Sequence, residues 1–176
     1  MFNVILRYGL IAGAIVATPM IWLMLTVKAG DGNPLGGMLA GYLTMLVALT
    51  AVFLGIKHYR DKVLGGAIRF LPAFGVGLAI SVIASLIYVA AWEFSCAFSE
   101  FDFVSWWSNQ IMEGAKGGTP GQVAQAAADV RDFTAMYDNP LLRMSMTFAE
   151  IFPVGLLVSL ISAAVLRNSR VLPARA

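Results

Sequence analysis

One acidic residue, Glu150, lies deep within an apolar stretch, in the run Thr147–Pro153. A charged side chain at such depth in a bilayer costs at least about 2.5 kcal/mol on insertion scales, so acids there are candidate functional sites. Glu150 could serve as a proton or cation site, or as a contact to a polar ligand. The structural alternative is a protonated Glu150 that hydrogen-bonds a hydroxyl on the preceding apolar stretch, for which the candidates are Ser81, Ser85 and Tyr88.

A second pair of charges, Glu93 and Arg143, lies near the ends of two apolar stretches. Arg143 precedes Glu150 by seven residues, which is about 10 Å along a helix axis. We therefore expect Arg143 to reach the membrane surface or to pair with Glu93, rather than to neutralise Glu150. The pair is a candidate contact at the outer face of the membrane.

The remaining composition excludes most catalytic chemistry. Cys96 and His58 are the single cysteine and the single histidine, which rules out an internal disulfide, a cysteine cluster and a metal site with two imidazoles. No phosphate loop, dinucleotide fingerprint or nucleophile elbow occurs, so we expect no enzyme, no metal and no cofactor. Apolar residues make up 59% and charged residues 12% of the chain, against about 45–50% and about 25% in soluble proteins. A soluble enzyme and a nucleic-acid-binding protein are therefore poor interpretations.

Four apolar stretches must position these side chains. Each is long enough for a membrane-spanning helix, which takes about 20 residues. Together they contain two of the chain's 12 basic and 10 acidic residues. In lipid the backbone must satisfy its own hydrogen bonds, which favours helices. We predict an all-α fold, a four-transmembrane-helix bundle in one membrane domain over residues 1–176. The predicted spans are 8–27, 36–56, 70–92 and 141–166.

Prolines and small residues predict the shape of the bundle. Pro19 and Pro153 lie within the first and fourth spans, where each removes a backbone hydrogen bond and is expected to bend its helix. Small residues at a spacing of four allow helices to approach closely in lipid. These ladders are Gly9 with Gly13, Gly37 with Gly41, Gly77 with Ser81 and Ser85, and Gly155 with Ser159 and Ala163. They would serve equally as seams within one bundle or between two copies, so the oligomeric state stays open.

Basic residues collect on one side of the predicted spans. They are Arg7, the loop Lys57–Lys62, Arg69, Arg167, Arg170 and Arg175. By the positive-inside rule this side faces the cytoplasm. We therefore predict a multi-pass protein of the bacterial inner membrane with both termini in the cytoplasm. We interpret the basic loop as a determinant of this topology, with binding of anionic lipids as the alternative.

Residues 93–140 form the predicted extracytoplasmic helical insertion, with seven acidic and two basic residues. Apolar residues spaced by three and four over 98–111 predict one amphipathic helix. Thr119 and Gln122 predict the capping box of a second helix. This amphipathic pair could cover the outer mouth of the bundle as a lid, dock a partner, or lie in the membrane interface.

Five runs of the sequence together resemble a known family: Gly55–Lys62, Leu64–Gly66, Ser81–Tyr88, Asp138–Leu141 and Thr147–Leu157. The family is the one catalogued as domain of unknown function four-one-nine-nine, a group of small bacterial membrane proteins. The resemblance covers nearly the whole chain and implies an inner-membrane protein with four helices. It implies no activity, substrate or cofactor. The family's recurring acid and proline, here Glu150 and Pro153, suggest a shared role without naming it.

Two functions are compatible with these observations. The first is a non-catalytic small inner-membrane protein, an accessory or scaffold subunit of an envelope complex, with the outer helices available to dock a partner. The second is a lipid or small-solute binding or transport protein that uses Glu150 within the bundle. Because 176 residues is short for a transporter, the second function calls for a homo-oligomer. The expected partners are membrane lipids and either a protein partner or another copy, and not nucleic acid.

Overall fold

The computed structural model describes residues 1–26 and 34–174, whose regular structure is helical. Its helices are α1 (Phe2–Thr26), α2 (Pro34–His58), α3 (Phe70–Phe98), α4 (Phe103–Gly114), α5 (Pro120–Asp138) and α6 (Pro140–Leu166). A π-helical turn, Tyr59–Val63, continues α2. Four segments are long and apolar enough to cross a membrane, namely α1, Gly41–Val63, α3 and α6. The prediction of an all-α bundle with four spans is confirmed.

The membrane helices extend beyond the predicted spans. The first helix begins at Phe2 instead of residue 8, and α3 continues to Phe98 instead of ending at residue 92. The helix continues because nothing breaks it before Ser99, where the backbone becomes extended. The prediction that the first outer helix starts at residue 98 is therefore wrong. It starts at Phe103.

Contacts at the helix ends establish the direction of each membrane helix. The rings of Tyr8 and His58 lie 5.7 Å apart, so the start of α1 is beside the end of α2. The Ser99 hydroxyl donates to the Met24 carbonyl oxygen at 2.6 Å, which joins the other ends of α1 and α3. Helices α1 and α3 therefore run in one direction, and α2 and α6 return. We call the end with residues 57–69 and 167–170 the basic end, and the end with α4 and α5 the opposite end.

Glycines allow the helices of the bundle to approach closely. A Cβ atom added at Gly9 would lie 2.7 Å from Ile83, and one added at Gly155 would lie 2.8 Å from Ser81. These glycines therefore form seams inside the bundle, between α1 and α3 and between α3 and α6. Gly41 has nothing within 4 Å of such an atom, and the side-chain environment of Gly37 lies outside the described residues.

Both prolines lie within uninterrupted helices. Pro19 and Pro153 are inside α1 and α6, and both are exposed on the outer surface of the bundle. Their rings thus project away from the neighbouring helices. The bends that we expected at these residues remain predictions.

Candidate functional site

Glu150 lies on the outer surface of the bundle and not in its interior. The exposed residues of α6 include Leu142, Met146, Ala149, Glu150, Pro153, Leu157 and Ile161. Glu150 is the charged member of this otherwise apolar set. Helix rise places it about 10 Å from Arg143 and about 24 Å from Leu166. In a single chain, α6 directs Gly155 toward α3, and a role for Glu150 within the bundle remains a prediction.

The Tyr88 hydroxyl is the polar partner of Glu150. It donates a hydrogen bond to Oε2 of Glu150 at 3.3 Å, in a partly buried position. Tyr88 itself is buried, and its cluster includes Val16, Met45 and Ile151. The carboxylate therefore turns back from the surface of α6 toward α3. Among the described residues, its second oxygen has no hydrogen-bond partner and remains available.

Ser81 and Ser85 do not reach Glu150. The Ser81 hydroxyl donates to the Gly155 carbonyl oxygen at 3.1 Å, and the Ser85 hydroxyl donates to the Ser81 carbonyl oxygen at 2.8 Å. Because α3 and α6 are antiparallel and Ser81 is level with Gly155, the residue of α3 level with Glu150 lies further along, at Tyr88. The structure thus pairs Glu150 with one of the three predicted hydroxyls, while the two serines hydrogen-bond to backbone.

Glu93 and Arg143 form an ion pair near the opposite end of the bundle. Arg143 donates from Nε to Oε1 of Glu93 at 2.8 Å and from Nη2 to Oε2 at 2.5 Å. This two-point geometry is the strong form of an arginine–carboxylate contact. Nη1 of Arg143 also donates to the Tyr137 carbonyl oxygen at 3.0 Å, and the guanidinium lies over the Tyr137 ring. The pair therefore joins α3, α5 and α6.

Aromatic side chains attach the outer helices to the end of α3. Phe103 of α4 meets Trp92 edge-on at 5.1 Å between ring centroids, and Phe133 and Tyr137 of α5 lie 5.2 Å apart. The indole of Trp92 donates to the Tyr137 hydroxyl at 2.7 Å. Burial raises the pKa of Tyr137, so its hydroxyl stays protonated near neutral pH. These contacts hold α4 and α5 against α3, and both the lid and the interfacial interpretation remain predictions.

Arg60 is a buried residue whose role the sequence did not reveal. Its side chain is fully buried, and Nε donates to Oδ1 of Asp61 at 2.6 Å. Nη1 donates to the carbonyl oxygen of Val171 at 2.9 Å, and Nη2 to that of Leu172 at 2.5 Å. A longer contact of 3.4 Å reaches the Leu166 carbonyl oxygen. Arg60 therefore fastens the chain after α6 to the π-helical turn. No local signal set Arg60 apart from the other basic residues, because Asp61 is also adjacent to Lys62.

The chemistry available to Glu150 and Tyr88 is the binding of a polar group. Glu150 and Tyr88 together can accept a hydrogen bond or hold a proton or cation at the free carboxylate oxygen. Within residues 1–26 and 34–174, no three His, Cys, Asp or Glu side chains gather as metal ligands would. Cys96 is a free, half-buried thiol.

Comparison with known proteins identifies one family. The family model described as "Protein of unknown function (DUF4199)" matches residues 7–168, which is most of the chain. This match confirms the resemblance found in the sequence. No curated protein and no solved structure matches the chain.

Proposed function

Because the chain belongs to the DUF4199 family, whose description names no activity, we propose from its own residues that it is a non-catalytic accessory or scaffold subunit of an envelope complex. The exposed position of Glu150 on membrane helix α6 carries the proposal. In our interpretation, this carboxylate is the contact point for a membrane helix of a partner protein.

The cost of exposing a carboxylate to lipid supports a partner. A charged residue near the middle of a membrane helix costs about 2.5–3.5 kcal/mol on insertion scales. The Tyr88 hydroxyl satisfies one oxygen at 3.3 Å. A partner helix with a hydroxyl, amide or cationic side chain would satisfy the other oxygen and remove it from lipid. Hydrogen bonds of this kind between membrane helices contribute about 0.6–2 kcal/mol.

The packed interior favours an accessory role over transport by a single chain. The largest buried side chains at the centre of the bundle are aliphatic, and they include Leu49, Val52, Ile56 and Ile80. The buried serines Ser81 and Ser159 are hydrogen-bonded between α3 and α6. A solute would have to displace this core to cross one copy of the protein.

We place the protein in the inner membrane of a bacterium, with both termini in the cytoplasm. Two observations support this orientation. Excess positive charge lies at the basic end, where the positive-inside rule expects cytoplasm. The acidic segment with α4 and α5 lies at the opposite end.

The second candidate function is binding or transport of a lipid or small solute by a homo-oligomer. It is favoured by the same exposed carboxylate, because a site at the surface of one copy becomes an interior site when another copy covers α6. In that arrangement, Glu150 and Tyr88 would line a polar site between copies.

The two functions are distinguished by native mass spectrometry of the untagged protein extracted gently from its own membrane. The matched variants are Glu150→Gln, which keeps a hydrogen-bonding side chain, and Glu150→Leu, which removes it. The control is Glu113→Gln, which removes an exposed acid outside the spans. For an accessory subunit we expect a stoichiometric second polypeptide that Glu150→Leu loses and Glu113→Gln retains.

The other outcomes are equally informative. A dimer or larger oligomer that carries a lipid or solute, released by Glu150→Leu, would establish the second function. A bare monomer in the wild type would contradict both proposals. A partner retained equally by all variants would show that Glu150 is not the contact point. A thermal melt of each variant checks that the bundle remains folded.

A further inference from the structure

We propose that the basic end of the bundle binds the phosphate group of an anionic phospholipid. The site comprises four cations, Lys62, Arg69, Arg167 and Arg170, which we call the basic collar. This inference is independent of Glu150 and of the proposed function, because it rests on the other end of the molecule.

All four cations of the basic collar are exposed, and within the described residues none of them forms an ion pair. Asp61 is the sole acidic residue between positions 32 and 92, and no acid occurs after Glu150. Asp61 cannot neutralise the collar, since its two carboxylate oxygens already accept from Lys57 and Arg60. The collar therefore carries a net positive charge that is free to bind an anion.

Arg60 brings the two halves of the collar together. Arg60 precedes Lys62 by two residues in the π-helical turn. Its guanidinium donates to the carbonyl oxygens of Val171 and Leu172, which holds the segment with Arg170 beside this turn. The same two segments also approach each other at Gly66, where an added Cβ atom would lie 3.6 Å from the Cβ atom of Ala174. The cations thus come from two segments more than 90 residues apart in sequence that the fold places side by side.

Exposed aliphatic side chains identify the anion as a lipid and not a soluble phosphate. Leu64, Leu71 and Leu172 are 43%, 75% and 52% exposed, and they lie within two residues of a collar cation in the same two segments. A phospholipid would contact both sets, with its phosphate on the cations and its acyl chains on the leucines and the adjoining spans. Clusters of basic residues directly beside a membrane span are typical of anionic-lipid recognition.

The test is a lipid titration of the purified full-length protein in a neutral detergent, with bound lipid counted by native mass spectrometry. The probes are short-chain phosphatidylglycerol, phosphatidylcholine with the same chains, and glycerol phosphate as the headgroup without chains. The test variant is Arg69→Gln with Arg170→Gln. The matched control is Lys116→Gln with Arg131→Gln, which removes one cation from the turn after α4 and one from α5 at the opposite end. Working in detergent keeps the result independent of membrane orientation.

We expect the wild type and the control to bind phosphatidylglycerol at least tenfold more tightly than phosphatidylcholine. A cation near an anionic lipid surface contributes about 1 kcal/mol, or about fivefold, so the test variant should bind about 25-fold more weakly. Raising the salt concentration should weaken binding of phosphatidylglycerol and leave phosphatidylcholine unchanged.

Three results would overturn the proposal. If the wild type bound phosphatidylglycerol and phosphatidylcholine equally tightly, the basic residues would act as topology determinants and not as a lipid site, whatever the affinities of the variants. Equal losses in the test and control variants would mean a general charge effect. Glycerol phosphate binding as tightly as phosphatidylglycerol would assign the collar to a soluble anion.

Discussion

Arg60 shows how one side chain can connect parts of the chain that lie far apart in sequence. Its planar guanidinium offers five N–H donors, and it uses them on Asp61 and on carbonyl oxygens at the end of α6 and after it. One of these carbonyls belongs to Leu172, whose φ of 48° is in the left-handed region. That conformation costs roughly 1–2 kcal/mol for a residue with a side chain, and the hydrogen bond from Arg60 offsets part of it.

Replacing Arg60 should release the segment after α6. We expect Arg60→Leu to lower the free energy of unfolding by about 3–5 kcal/mol, because Asp61 loses one of its two cationic partners and the carbonyl oxygens of Val171 and Leu172 lose their donor. Arg60→Lys should recover only part of this loss, since an ammonium cannot span the same acceptors. The measurements are denaturant unfolding and carboxypeptidase digestion of the C-terminal segment. The exposed Arg69→Leu is the control, and a segment still protected in Arg60→Leu would contradict the assignment.

The Glu93–Arg143 pair should have a larger coupling energy than an exposed surface ion pair. Its side chains are each 20% exposed and meet at two points, whereas Glu113 and Lys116 are 58% and 69% exposed. A double-mutant cycle with alanine should give a coupling energy of about 1–3 kcal/mol for the first pair. The second pair should give no more than about 0.5 kcal/mol. Equal coupling energies would mean that the first pair is screened by solvent as fully as the second.

At the scale of a single helix, α4 depends on its first residues. Asp102 caps it by accepting from the Ser105 amide at 3.0 Å and the Ser105 hydroxyl at 2.6 Å. The hydrogen bonds from Ser105 hold the pKa of Asp102 below its ordinary value of 3.8. The cap therefore stabilises α4 fully above about pH 4, and the stabilisation is lost as pH falls through the lowered value.

We expect the amides of α4 to exchange with solvent faster as pH falls below about 4, after correction for the intrinsic exchange rate. Asp102→Ala should destabilise α4 by about 0.5–2 kcal/mol at neutral pH, because the amide of Ser105 loses its acceptor. Asp102→Asn should keep the cap and lose its pH dependence in this window. Hydrogen exchange followed by mass spectrometry measures all three proteins. An acid-induced change of the same size in Asp102→Asn would place the titrating group elsewhere.

Contact between α1 and α3 depends on glycine at a few positions. A Cβ atom at Gly13 would collide with Ile87 of α3, whereas one at Gly41 would meet nothing within 4 Å. We therefore expect Gly13→Val to lower the free energy of unfolding by about 1–3 kcal/mol through overpacking, or to separate the helices. Gly41→Val, with the same change in side chain, should have little effect on the monomer. If Gly13→Val and Gly41→Val destabilised the protein equally in mixed micelles, the assignment of Gly13 to the contact between α1 and α3 would be contradicted.

Sequence patterns predicted one local helix cap and did not predict which face of α6 is exposed. The capping box of Thr119 and Gln122 is present as predicted, because it depends on residues three apart. The exposure of Glu150 on the surface of α6 could not be predicted, because α6 is apolar on all sides. In lipid, apolar residues are favourable both at the exposed surface and in the buried interior. The contacts of Arg60 could not be predicted from the sequence either, because they join positions more than 100 residues apart.

At the scale of the whole molecule, the charges divide the bundle into two unlike ends. The basic end holds the starts of α1 and α3 and the ends of α2 and α6, as the contacts Tyr8–His58 and Arg60–Leu166 show. The acidic residues of α4 and α5 lie beyond the other end of the spans. Both described chain ends therefore lie at the basic end, which our proposed orientation places in the cytoplasm.

This orientation predicts which positions a membrane-impermeant maleimide can reach in intact cells. In a Cys96→Ser background, Gln125→Cys on α5 should be labelled, because it is exposed at the opposite end. Asn3→Cys and Ser169→Cys are equally exposed but lie at the basic end, so they should react only after the membrane is opened. Labelling at positions 3 and 169 with protection at 125 would mean the reverse orientation. Labelling at only one of positions 3 and 169 would contradict the four-span arrangement itself, because an even number of crossings returns the chain to the side where it began.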